Sequence, residues 1–137
     1  MKPTHFTFQN NEGVTLSAQM EWPANQKPHS YVIFAHCFTC NKNLYAVRTI
    51  SMAMAGRGFA VLTFDFTGLG RSEGEFQDAN LSGNVDDIIS AARFLRDEFD
   101  APALLVGHSL GGTAVILAAE HIDSVIGVAT IGAPAEA

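Results

Sequence analysis

This 137-residue chain predicts an α/β fold: a mostly parallel sheet of about six strands with flanking helices. Three observations lead there. Two alternating segments near the start read as an antiparallel pair of strands. Short, nearly all-apolar runs then alternate with segments of helical period, the pattern of buried parallel strands joined by helices. The composition permits it, because 47% hydrophobic residues can build a core and 16% charged residues are too few for a disordered chain. One domain spanning residues 1–137 is expected at this length.

Residues 4–9 (THFTFQ) alternate and form the first strand, and Asn10-Asn11-Glu12-Gly13 is a hairpin-type turn. Residues 15–22 follow as the second strand, with Leu16, Ala18, Met20 and Trp22 on one face. After a polar loop from Pro23 to Pro28, residues 31–36 (YVIFAH) read as a buried parallel strand, and Cys37 to Lys42 as a loop. Asn43 is read as the N-cap of a helix to Ala55 with Leu44, Val47, Ile50 and Met54 on one side, ended by Gly56 and Gly58. Residues 60–66 (AVLTFDF) are another buried strand, and Thr67 to Phe76 a glycine-rich loop. Asn84 is read as the cap of a helix from Val85 to Phe99. Its buried face carries Val85, Ile88, Ile89, Ala92, Leu95 and Phe99, and Asp86 and Asp87 suit its first turn. Ala103-Leu104-Leu105-Val106 is a buried strand with the helix Thr113 to Ala119 packed on it, and residues 125–131 (VIGVATI) are a last buried strand.

The totals exclude several classes. Net charge is −6 and no Lys/Arg cluster exists, so neither nucleic acid nor an anionic membrane is an expected partner. Met1-Lys2-Pro3-Thr4-His5 lacks the apolar core of a signal peptide. Residues 101–119 carry no Asp, Glu, Lys or Arg, but His108, Ser109 and three glycines interrupt the run, so it is not read as a membrane span. A soluble, cytoplasmic protein is the expectation. Two cysteines, Cys37 and Cys40, are too few for a secreted disulfide scaffold.

Chemistry concentrates at Gly107-His108-Ser109-Leu110-Gly111-Gly112. A G-x-S-x-G between an apolar strand and a helix holds its serine on a tight, strained turn. Small neighbours fit there, the hydroxyl is pushed out of the sheet, and the next backbone N–H lies at a helix N-terminus facing a developing oxyanion. Ser109 is therefore the candidate nucleophile. The bland alternative, a glycine-rich turn that only packs a helix on a sheet, needs no serine at its apex.

Three motifs in order carry a family resemblance. His36-Cys37-Phe38 follows the third strand, Asp65-Phe66-Thr67-Gly68-Leu69-Gly70-Arg71-Ser72 follows the fourth, and Gly107 to Gly111 follows the fifth. Together they resemble the His-Gly oxyanion loop, the D-x-x-G-x-G-x-S loop and the nucleophile elbow of the α/β-hydrolases. More narrowly, His36 to Cys40 with Phe64 to Gly70 resembles a bacterial subgroup often fused to an OsmC-like domain. The resemblance covers essentially the whole chain and implies a serine hydrolase, esterase- or lipase-like, that needs no cofactor or metal. It makes Ser109 the nucleophile and the backbone N–H groups of Leu110 and Phe38 the oxyanion donors. Cys37 stands where the family usually has Gly, which leaves the Phe38 donor in place but narrows or bends its loop.

A second departure is larger. The family places an acid and then a histidine on later loops. Here His121 is the only histidine after Ser109, and it falls near the end of the elbow helix, pointing away from the serine. A serine hydroxyl without a base in reach is a weak nucleophile. The expectation is a truncated α/β-hydrolase fold lacking its last strands and any cap, whether a fragment, a natural half or a pseudoenzyme, and nearly inactive by itself. Its last strand then has an unpaired edge, and a homo-oligomer through Val125 to Pro134 is expected.

Two other classes stay open: a non-catalytic binding or assembly domain, and a thiol-redox module using the C-x-x-C of Cys37 and Cys40. No second ligand pair accompanies those cysteines, so no metal site is read there. His36, His108 and Asp65 lie at strand ends and are read as braces that hold the loops by hydrogen bonding. Gly68-Leu69-Gly70 opens no helix, so it is not read as a nucleotide loop. The partner implied is a small-molecule acyl substrate.

Overall fold

A computed structural model describes residues 3–36, 44–67 and 80–132. Six strands and three helices follow in the order β1 (Thr4–Gln9), β2 (Thr15–Glu21), β3 (Ser30–Ala35), α1 (Leu44–Ala55), β4 (Phe59–Phe64), α2 (Leu81–Glu98), β5 (Leu104–His108), α3 (Leu110–Ala119) and β6 (Gly127–Ile131). They build one sheet in the order β1-β2-β4-β3-β5-β6. The β1–β2 and β2–β4 pairs are antiparallel, and the β4–β3, β3–β5 and β5–β6 pairs are parallel. This is the expected α/β architecture.

The strand patterns explain the layers. Leu16, Ala18 and Met20 of β2 alternate into the core as expected, because successive side chains of a strand face opposite sides. β3 and β4 have helices over both faces and are apolar on both. Val32, Phe34 and Val61 pack with Val47, Ile50 and Met54 of α1, while Ile33, Ala35, Leu62 and Phe64 join the larger cluster under α2 and α3. Phe6, Phe94, Phe99, Trp22 and Tyr31 extend that cluster, with ring centroids 5.3–6.2 Å apart.

Two readings are corrected, and a third lies beyond the described residues. The second helix is capped by Asn80, whose side-chain oxygen accepts from the Gly83 N–H at 2.7 Å. Asn84 lies one turn inside and is 2% exposed, so Asp86 and Asp87 are not in the first turn. Gly83 hid this start, since a glycine inside a helix is unfavourable by about 1 kcal/mol. The last strand, read as buried, is exposed along most of its length, because β6 ends the sheet order and has β5 as its one strand neighbour among the described residues. The proposed Asn43 cap lies outside the described residues.

Candidate active site

Ser109 joins β5 to α3 with φ 57° and ψ −123°. L-residues rarely adopt this backbone, and holding one there costs about 1–3 kcal/mol. The surroundings enforce it. The Ser109 N–H donates to the Ile131 carbonyl at 2.8 Å, and the Ser109 carbonyl accepts from the Gly112 N–H at 2.9 Å. A Cβ on Gly107 would stand 2.5 Å from Gly112 Cα and overlap the Gly111 carbonyl. A Cβ on Gly111 would stand 2.9 Å from the His36 carbonyl oxygen and overlap that of Ala35. Both glycines are therefore set by close approach of backbones, which lets α3 start directly against the ends of β3 and β5. Leu110, exposed, opens α3, where the first N–H groups of a helix lack intrahelical partners and the dipole favours negative charge.

The parallel registers level Ala35 with Gly107 and Phe34 with Thr63, so the carboxyl ends of β3, β4 and β5 share one rim. Ligands of open α/β sheets bind outside that rim. There His36 Nε2 lies 3.3 Å from Asp65 Oδ1, and the Asp65 N–H donates to the Ser17 carbonyl at 2.9 Å. The pair borders a cleft of about 320 Å³ that Arg48 and Gln19 also line. His36 and Asp65 thus brace two strand ends, as expected. His108 differs: its Nδ1 is buried with no hydrogen-bond partner among the described residues, so bracing through that atom is not observed. His121 follows the far end of α3, about 15 Å of helix from Ser109.

Phe38, Cys37 and Cys40 lie outside the described residues, as do Gly68 to Ser72 and Pro134. Among the described residues no group of three or more His, Cys, Asp or Glu could hold a metal ion, and no helix is long and apolar enough to cross a membrane.

Sequence reasoning missed a polar cluster at this rim. Asp87 is 1% exposed, and its Oδ2 accepts from both the N–H and the hydroxyl of Thr67 at 2.8 Å. Its Oδ1 accepts from Asn10 Nδ2 at 3.1 Å, and the same amide reaches Thr67 Oγ1 at 3.2 Å. Asn10 Oδ1 accepts in turn from the Glu12 and Val14 N–H groups, each at 2.9 Å. A signal existed, because Asn84, Asp87, Ile88, Ala91, Ala92 and Leu95 form one buried stripe with a carboxylate on it.

Comparisons with known proteins bear on the family and the fold. The profile of the family described as serine aminopeptidase, S33, matches residues 26–136. The esterase domain of a Rhodothermus marinus protein is 47% identical with a TM-score of 0.81, over 98% of this chain and 51% of that one. An α/β serine hydrolase without a lid from Xanthomonas campestris shares the fold at a TM-score of 0.83 and 21% identity, over 99% of this chain and 63% of that one. The human mitochondrial palmitoyl-protein thioesterase ABHD10 is 38% identical over 77 residues, which are 53% of this chain and 24% of the relative. This chain spans about a quarter to two fifths of the length of the curated relatives it matches.

Proposed function

The chain belongs to the serine aminopeptidase S33 family of α/β-hydrolases, and from that premise we propose that Ser109 is the nucleophile of acyl transfer from a small carboxylic ester or thioester. The observation that carries this reading is the Ser109 backbone, held at φ 57° between β5 and α3 and flanked by Gly107 and Gly111, where a Cβ would overlap neighbouring backbone. A turn that only packed a helix on a sheet would relax this strain with a glycine at the apex. The esterase domain from Rhodothermus marinus and the ABHD10 thioesterase support the substrate class.

In the proposed reaction Ser109 Oγ attacks the acyl carbonyl carbon. The new C–O bond pushes the carbonyl pair onto oxygen, where the N–H groups of Leu110 and, by resemblance, Phe38 hold the oxyanion. Collapse expels the alcohol or thiol, which takes up the proton that left the serine. Water then attacks the acyl-enzyme, releasing the carboxylic acid and restoring the hydroxyl. His121, a helix length from Ser109, is not the base of that proton traffic. Loss of such a base costs on the order of 10⁴ or more in rate.

A fluorophosphonate probe tests this reading. Mass spectrometry should place the adduct on Ser109, and Ser109→Ala should abolish both labelling and any hydrolysis of aryl esters. Hydrolysis that survives Ser109→Ala removes Ser109 from the mechanism.

One observation favours a second reading, an assembly module. Ile126, just before β6, and Val128 and Ile131 within it are 86%, 40% and 39% exposed, the outer edge of β6 has no strand partner among the described residues, and Ile116 and Leu117 of the neighbouring α3 are also exposed. Such an edge templates pairing with another strand, here a second copy of this chain. Light scattering at about 100 µM should then report a dimer that Val128→Lys dissociates; a monomer at that concentration removes this reading.

A further inference from the structure

We propose that Asp87 is a positioning residue for the Ser109 turn, acting through Thr67, Asp65 and His36; the inference rests on the nucleophilic reading of Ser109. A buried carboxylate is costly unless its oxygens are satisfied. Asp87 meets that cost with three neutral donors, two of them on Thr67 and one on Asn10. Asparagine could not replace it. Asn10 already presents its amide nitrogen to this position, and the amide introduced by Asp87→Asn would put donor against donor or turn away from Thr67.

What the carboxylate grips explains its place. Thr67 lies three residues past the end of β4, on the rim that holds Ser109. Pinning its N–H and hydroxyl fixes the path of residues 65–67 as they leave the sheet, between the β1–β2 turn and α2. Asp65, two residues back, meets His36, and the His36 carbonyl oxygen stands 2.9 Å from where a Cβ on Gly111, in the first turn of α3, would lie. The last step sets the His36 backbone beside that of Gly111, with no room for a side chain between them, and backbone yields little. The path ends two residues from Ser109 and one from Leu110. A displacement there shifts the hydroxyl and the Leu110 N–H relative to each other, and misplacing reacting groups by about 1 Å can cost up to 10²-fold in rate.

Saturation kinetics of Ser109 phosphonylation, with thermal unfolding as a control, separates positioning from stability. Asp87→Asn should lower the saturating rate constant at least tenfold while the half-saturating concentration stays within about twofold. Adding Asn10→Asp to that variant faces the new amide with an acceptor and should recover most of the lost rate. Thr67→Val removes only the hydroxyl bonds and should fall between wild type and Asp87→Asn, so it serves if Asp87→Asn does not fold. A lowered Tm with an unchanged saturating rate in both single variants overturns the proposal and leaves Asp87 a structural residue. Failure of the double variant to recover rate overturns the hydrogen-bond path. Wild-type protein that takes the label elsewhere than Ser109 overturns the nucleophilic reading and this proposal with it.

Discussion

The carbonyl oxygen of Ala35 at the end of β3 occupies the space that a side chain on Gly111 of α3 would need. The obstacle is backbone, so no rotamer change removes it. Gly111→Ala should destabilise the fold by about 3 kcal/mol, at the upper end of overpacking costs, and urea unfolding would read it. Gly127→Ala is the control. Its Cβ would meet only Leu104 Cδ2 at 3.0 Å, the end of a flexible side chain, and the loss should stay below about 1 kcal/mol.

Strain at Ser109 should be recoverable as stability. Glycine adopts φ 57° freely, so Ser109→Gly should gain about 1 kcal/mol in urea unfolding, while Ser109→Ala, strained like serine, should stay within about 0.5 kcal/mol of wild type. Equal stabilities for all three would mean that the turn stores no strain.

The start of α2 gives a pair of opposite expectations. Asn80→Ala removes the bond to the Gly83 N–H and should cost about 1 kcal/mol. Asn84→Leu removes a buried oxygen that has no partner among the described residues and should cost less than that or stabilise. The reverse order would return the cap to Asn84.

Tyr31 predicts a pH dependence. Burial, and secondarily the negative charge of Asp100, raise its hydroxyl above the ordinary value of 10.0. As pH passes about 10 the unfolded chain releases this proton first, so unfolding is favoured. The contribution of Tyr31 is therefore full below about pH 10 and is lost as pH rises through the raised value. Urea midpoints between about pH 9 and 11 should fall more steeply for wild type than for Tyr31→Phe. Parallel curves would clear Tyr31 of that role.

Much of the architecture was legible because it is local. Alternation in residues 15–22, the apolar runs at 31–36 and 60–66, and the helical period before Ala55 each follow from which side chains one strand or helix must bury. The G-x-S-x-G motif placed Ser109 on its turn for the same reason. The cap of α2 was misread because Asn80 and Asn84 both precede an apolar stripe, and only the bond to Gly83 separates them.

The sequence by itself determined the order and type of the strands and helices and the position of the strained serine, since short-range sterics and hydrophobic period act within one element. Tertiary structure alone decided the rest. It set the β1-β2-β4-β3-β5-β6 order, which exposes β6, and brought Asn10, Thr67 and Asp87 together across up to 77 positions of sequence. It also laid the end of β3 against Gly111. Such contacts depend on how elements pack across the sheet, and nothing in the period of any one segment encodes its distant neighbour.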